Sequence, residues 1–145
     1  MSDESGAGHV APVVDTAFER RSLPIDGSFT IARGTTETAE NVLVRVTDEA
    51  DRVGLGCSAP SAYYGETADT VAAVLPEYLD VVESVGPEPR ATVERRCRER
   101  VGDNPAARAA VAIALADLAG KRLDAPLYDL WGLDPANAPP TSFTV

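Results

Sequence analysis

The side chains in this sequence that could do chemistry are few. They are Arg33, the pair Tyr63 and Tyr64, Cys57 and Cys97, the single lysine Lys121 and the single histidine His9. Arg33 stands beside Gly34 in a stretch rich in glycine and threonine. It is the best candidate for gripping an anion such as a carboxylate, and an exposed structural arginine is the plainer alternative. Tyr63 and Tyr64 either anchor a loop or line a pocket. His9 lies in the N-terminal tail, so neither a Ser–His–Asp set nor a Cys/His zinc set can be assembled around it. Cys57 and Cys97 are far apart and form no C-x-x-C, and they read as two packed or surface thiols. Lys121 follows Asp117 by one helical turn, in the order that favours pairing on a helix. The 23 carboxylates scatter over tail, turns and helix faces, where Asp and Glu are ordinarily solvated. Nothing here has the form of an activated acid or base.

One motif matches in letters only. Gly54-Leu-Gly56-Cys-Ser-Ala59 has the spacing of a dinucleotide fingerprint, but that fingerprint needs a helix opening on its last small residue. Here Pro60 and a tyrosine-bearing loop follow. The two glycines instead predict a strand that a neighbouring backbone approaches closely.

Composition narrows the partners. A chain of 145 residues with 44% hydrophobic content suits one ordinary domain. No apolar run reaches the roughly 18 residues needed to span a bilayer. A net charge of −10 repels nucleic acid and anionic lipid, so neither is expected as a partner. Twelve arginines against one lysine, in an acidic chain, suit a high-salt cytoplasm in which screening relieves self-repulsion. A halophilic source and a cytoplasmic location are the expectations. Residues 1–12, small and polar with no signal-peptide pattern, read as a disordered tail.

The elements that must position these side chains follow from periodicity. Residues 13–24 suggest a strand running into a long loop over 25–38, which carries Gly27, Phe29, Ile31 and Gly34. Val42, Val44 and Val46 alternate through a strand over 41–47, and a polar turn over 48–52 returns the chain into a second strand, 53–58. Residues 61–66 read as a loop. Thr67 caps a helix over 68–82 that Pro76 should kink or split. A charged surface helix covers 91–101. Asn104 followed by Pro105 predicts the cap and first turn of a helix running to Lys121, with Ala107, Ala110 and Ala114 as a small-residue strip. A short helix over 125–131 precedes a Pro- and Ala-rich linker. Strands first and helices afterwards give an α+β domain, a three-stranded antiparallel sheet followed by a helical layer.

In order and spacing, four groups of residues resemble the N-terminal capping domain of the enolase superfamily. They are Phe29-Thr-Ile-Ala-Arg33-Gly34-Thr35, Glu40-Asn-Val-Leu-Val-Arg-Val46, Gly54-Leu-Gly56 with Tyr64-Gly65-Glu66-Thr67, and Asn104-Pro-Ala-Ala-Arg with Asp117-Leu-Ala-Gly-Lys121. More narrowly they resemble the muconate-lactonizing subgroup and its dipeptide epimerases, of the L-Ala-D/L-Glu type. Residues 13–133 would form the cap, 134–140 a linker, and 141–145 the first strand of a (β/α)8 barrel otherwise absent.

The resemblance implies an isomerase that removes and returns an α-proton through an enolate held by Mg2+, with metal ligands and lysine bases all in the barrel. Two lid segments, 25–38 with Phe29, Ile31 and Gly34, and 57–66 with Cys57, Tyr63 and Tyr64, would shape the pocket. Thr144 and Arg33 would touch a small dipeptide substrate. Cys57 stands where the family has glutamate. The chain by itself is expected to be inert, with the missing barrel half as its partner and a homo-oligomer possible. The alternatives are the cap of a muconate cycloisomerase or an o-succinylbenzoate synthase-like enzyme, and a non-catalytic α+β binding module.

Overall fold

The computed structural model describes residues 12–31 and 34–141, with positions 14, 28, 29 and 31 described by their backbone alone. Its sheet has three antiparallel strands in the order β1-β2-β3, with β1 at Val13–Ile31, β2 at Gly34–Asp48 and β3 at Val53–Ser58. The helical layer follows as α1 (Ala68–Val85), α2 (Arg90–Arg100), α3 (Pro105–Leu123) and the short α4 (Leu127–Leu130). The α+β order read from the sequence is the order observed.

The sheet's buried face is made by β2. Val42, Val44 and Val46 are each 0% exposed and pack with Val71, Leu75 and Tyr78 of α1 and Ala110, Ala114 and Leu118 of α3. Gly54 and Gly56 put β3 directly on α3. A methyl group at Gly56 would sit 1.9 Å from the Ala110 carbonyl oxygen, and one at Gly54 2.2 Å from that of Ala114. The alanine strip and the two glycines are thus the two halves of one close contact.

Three expectations are corrected. Residues 25–38 are no long loop. β1 and β2 continue as a two-stranded ribbon well past the part of the sheet that β3 covers, with Pro24 opposite Thr38 and Phe29 opposite Thr36. Four residues face one across that register shift, and Gly27, at φ +84°, takes the left-handed turn that absorbs them. Thr30, Thr35, Thr36 and Thr38 supply the β-branched side chains that a solvated ribbon tolerates.

Pro76 does not split α1, which runs unbroken from Ala68 to Val85. It lies on the exposed face, where the carbonyl it deprives of a donor is within reach of water. Thr67 does cap α1, its hydroxyl accepting from the Thr70 amide at 3.2 Å.

Asn104 does not cap α3. Its backbone is left-handed and its side chain donates to the Gly102 carbonyl at 2.8 Å. The cap comes from elsewhere, as described below.

The free edge of β3 is closed by the expected helical pair. Asp117 accepts the Leu55 amide at 2.8 Å and Lys121 donates to the Val53 carbonyl at 2.7 Å, while the two side chains pair at 2.6 Å. Open strand edges recruit other chains. Asp117→Ala should therefore cost about 1 kcal/mol and raise self-association, measurable by light scattering against concentration. A variant as monodisperse and as stable as the parent would contradict this role.

Candidate functional site

The two segments expected to form a lid meet across a groove of about 530 Å³. Thr36 and Thr38 of the ribbon line one side, and Pro60, Ala62 and Glu66 of the following turn line the other. Arg20 bridges the groove's end to Asp69 at the start of α1. Polar side chains such as Thr36, Thr38 and Glu40 alternate in the lining with apolar Ala39, Pro60 and Ala62, a mixture that suits a small ligand with both kinds of group.

The turn is compact. Its amides fold back on its own carbonyls, Tyr64 to Ser61 at 2.9 Å, Gly65 to Ala62 at 3.1 Å and Glu66 to Ser61 at 3.2 Å. Gly65 has φ +77°, which closes the turn. Tyr63 and Tyr64 stand on it as an edge-to-face pair with ring centroids 4.9 Å apart, 62% and 75% exposed. Cys57, at the end of β3, is half-buried opposite Leu43.

In the sequence Glu66 stands out only as the end of a loop and as one member of the Tyr64-Gly65-Glu66-Thr67 group. It is 7% exposed, and its carboxylate accepts the Ala106 amide with both oxygens, at 2.9 and 3.2 Å. This is the cap that Asn104 does not provide, delivered from 40 residues away.

Arg33 and Thr144 lie outside the described residues. Phe29 and Ile31 are placed by backbone only, opposite Thr36 and Gly34 near the ribbon's end. Gly34 opens β2 at φ +142°.

The buried ionisable groups are structural. Asp48, 0% exposed, accepts from Arg122 at 2.9 Å, Arg52 at 3.0 Å and the Ala50 and Arg52 amides. Burial pushes its pKa up, but Arg122, the two amides and the Arg52 side chain outweigh burial and hold it at about 2. Burial raises the Cys97 thiol to about 11 and also raises the Tyr78 hydroxyl, which donates to the Val101 carbonyl at 2.8 Å. A thiol so placed is a poor nucleophile at neutral pH. It borders a second, more apolar cavity of about 610 Å³ between α2 and α3, which none of the expected lid residues lines.

Among the described residues, no group of three or more His, Cys, Asp or Glu could hold a metal ion. The two buried carboxylates are already committed, Asp48 to two arginines and Glu66 to a helix end. These residues do not fit a magnesium site, so no step of a reaction is assigned to a metal held by them.

The arrangement is that of a capping module, a sheet and helical layer that hold two segments over a groove. Residues 13–132 match the mandelate racemase / muconate lactonizing enzyme N-terminal domain, and the chain belongs to that family. It is 33% identical over 131 residues to an L-Ala-D/L-Glu epimerase from Bacteroides thetaiotaomicron, a match covering 81% of this chain and 30% of that protein. An L-Lys-D/L-Arg epimerase from Methylococcus capsulatus is 31% identical over 137 residues, covering 92% and 38%. Among solved structures, the Enterococcus faecalis dipeptide epimerase complexed with Mg and L-Leu-L-Tyr superposes with a TM-score of 0.79 at 27% identity, covering 82% of this chain and 34% of that one. The chain spans about a third of the length of these relatives.

Proposed function

We propose that these residues are the lid of a magnesium-dependent dipeptide epimerase whose metal ligands and acid–base groups belong to a barrel domain outside the 145 residues. The 33% identity to an L-Ala-D/L-Glu epimerase carries this reading. An α-proton beside a carboxylate is weakly acidic, and removing it needs a metal to take up the developing charge together with matched bases. This chain's own residues contribute shape. The ribbon and the turn close over the groove, Tyr63 and Tyr64 face the substrate's side chains, and Arg33 and Thr144 meet its polar ends.

The 145-residue chain, incubated with L-Ala-L-Glu and magnesium chloride in D2O, is expected to place no deuterium at the α-carbon. Mixed with the remaining portion of the Bacteroides thetaiotaomicron L-Ala-D/L-Glu epimerase, it is expected to restore exchange. Exchange by the chain alone contradicts the lid role. A stable mixture that leaves the α-carbon unlabelled contradicts the epimerase reading.

A further inference from the structure

We propose that Glu66 is a positioning residue, fastening the tyrosine-bearing turn to the helical layer so that the lid segment keeps one fixed orientation beside the groove. The inference rests on the lid reading above and deepens it. Glu66 and Thr67 are consecutive, and each caps a different helix. Glu66 serves the N-terminus of α3 through the Ala106 amide, and Thr67 serves α1 through the Thr70 amide. The positive end of a 19-residue helix attracts the Glu66 carboxylate, and no local side chain caps that end because Asn104 is turned away.

The turn therefore cannot move without uncapping a helix. Tyr63 and Tyr64 are largely exposed, and the backbone of the turn carries both rings. The loop hydrogen bonds from Tyr64, Gly65 and Glu66 close that backbone into one unit, and the Glu66 carboxylate attaches the unit to the core.

Amide hydrogen exchange on the 145-residue chain tests the attachment. Glu66→Ala should speed exchange at Tyr64, Gly65 and Glu66 roughly 5- to 30-fold, the range that loss of a helix cap implies. Exchange in the centre of β2 should change far less. Glu66→Gln keeps an acceptor but loses the charge, so it should fall between. If the alanine variant fails to protect even the sheet, the glutamine variant decides. Turn exchange unchanged from the parent in the folded variants overturns the proposal.

Positioning also predicts a kinetic split in the mixture with the barrel portion of the Bacteroides thetaiotaomicron epimerase. Glu66→Gln should raise KM for L-Ala-L-Glu several-fold and leave kcat within about twofold. A fall in kcat at constant KM marks a loss of folded protein only, and overturns it. If the unsubstituted mixture shows no turnover, the epimerase reading fails, while the exchange measurement still decides the attachment.

Discussion

Gly56→Ala should destabilise the domain by about 3 kcal/mol, lowering the melting midpoint by about 10 °C for a chain of this size. The added carbon would lie 1.9 Å from the Ala110 carbonyl oxygen and 2.7 Å from the Ala114 amide nitrogen. Both are helix backbone and cannot rotate aside, so β3 must lift from α3. That shift would loosen the packing over Val44, the residue paired with Gly56. Gly102→Ala is the control. Its added carbon meets nothing within 4 Å, and it should stay within about 0.5 kcal/mol of the parent. Thermal denaturation of the two variants checks the pair, and equal midpoints would contradict the close sheet–helix contact.

Asp48→Ala should cost at least as much, about 3 to 5 kcal/mol. Asp48 ends β2 and joins the turn to α3 through Arg122, whose side chain is 9% exposed. Without the carboxylate, a guanidinium charge stays in a site that excludes water. The pH dependence follows from the depressed pKa. A carboxyl at 3.8 when unfolded and about 2 when folded binds fewer protons in the native state. Its contribution, about 2 kcal/mol, is fully present above roughly pH 4 and lost as the pH falls toward 2. Urea denaturation between pH 2 and 6 should show this loss as a difference between the parent and Asp48→Asn. Parallel curves would show that Asp48 is not what weakens the fold in acid.

What was legible in the sequence was whatever a local period or a steric need could carry. Val42, Val44 and Val46 announced a one-sided strand, and Gly54 with Gly56 announced a close approach that the alanine strip of α3 answers. Asp117 and Lys121 showed their pairing by spacing, though not that they would close a strand edge. The ribbon has little signal in the sequence because residues 34–38 are exposed on both faces. Residues 30–38 carry no hydrophobic alternation, and the glycine that marks a bulge also marks a loop. Pro76 leaves α1 unsplit because its tolerance depends on which face of the helix it occupies, and the sequence does not show that face.

The tertiary polar contacts had no signal at all. Asp48 and Arg122 are 74 positions apart, and Glu66 reaches Ala106 across 40. In a chain with 23 acidic residues, nothing local distinguishes these two from carboxylates in water. Burial and a distant partner select them, and both are properties of the fold. The same holds for the site. The family resemblance pointed to the two segments expected to form a lid, but the groove between them depends on the ribbon running on past β3 and on the turn that ends at Glu66 standing opposite.

Replacing the lid of the Bacteroides thetaiotaomicron L-Ala-D/L-Glu epimerase with residues 13–132 of this chain tests the central claim most directly. With magnesium in D2O, the hybrid is predicted to exchange the α-hydrogen of L-Ala-L-Glu, read by proton NMR as loss of the α-proton signal and appearance of the epimer. A folded, magnesium-binding hybrid that leaves the α-proton of every dipeptide offered in place would contradict it.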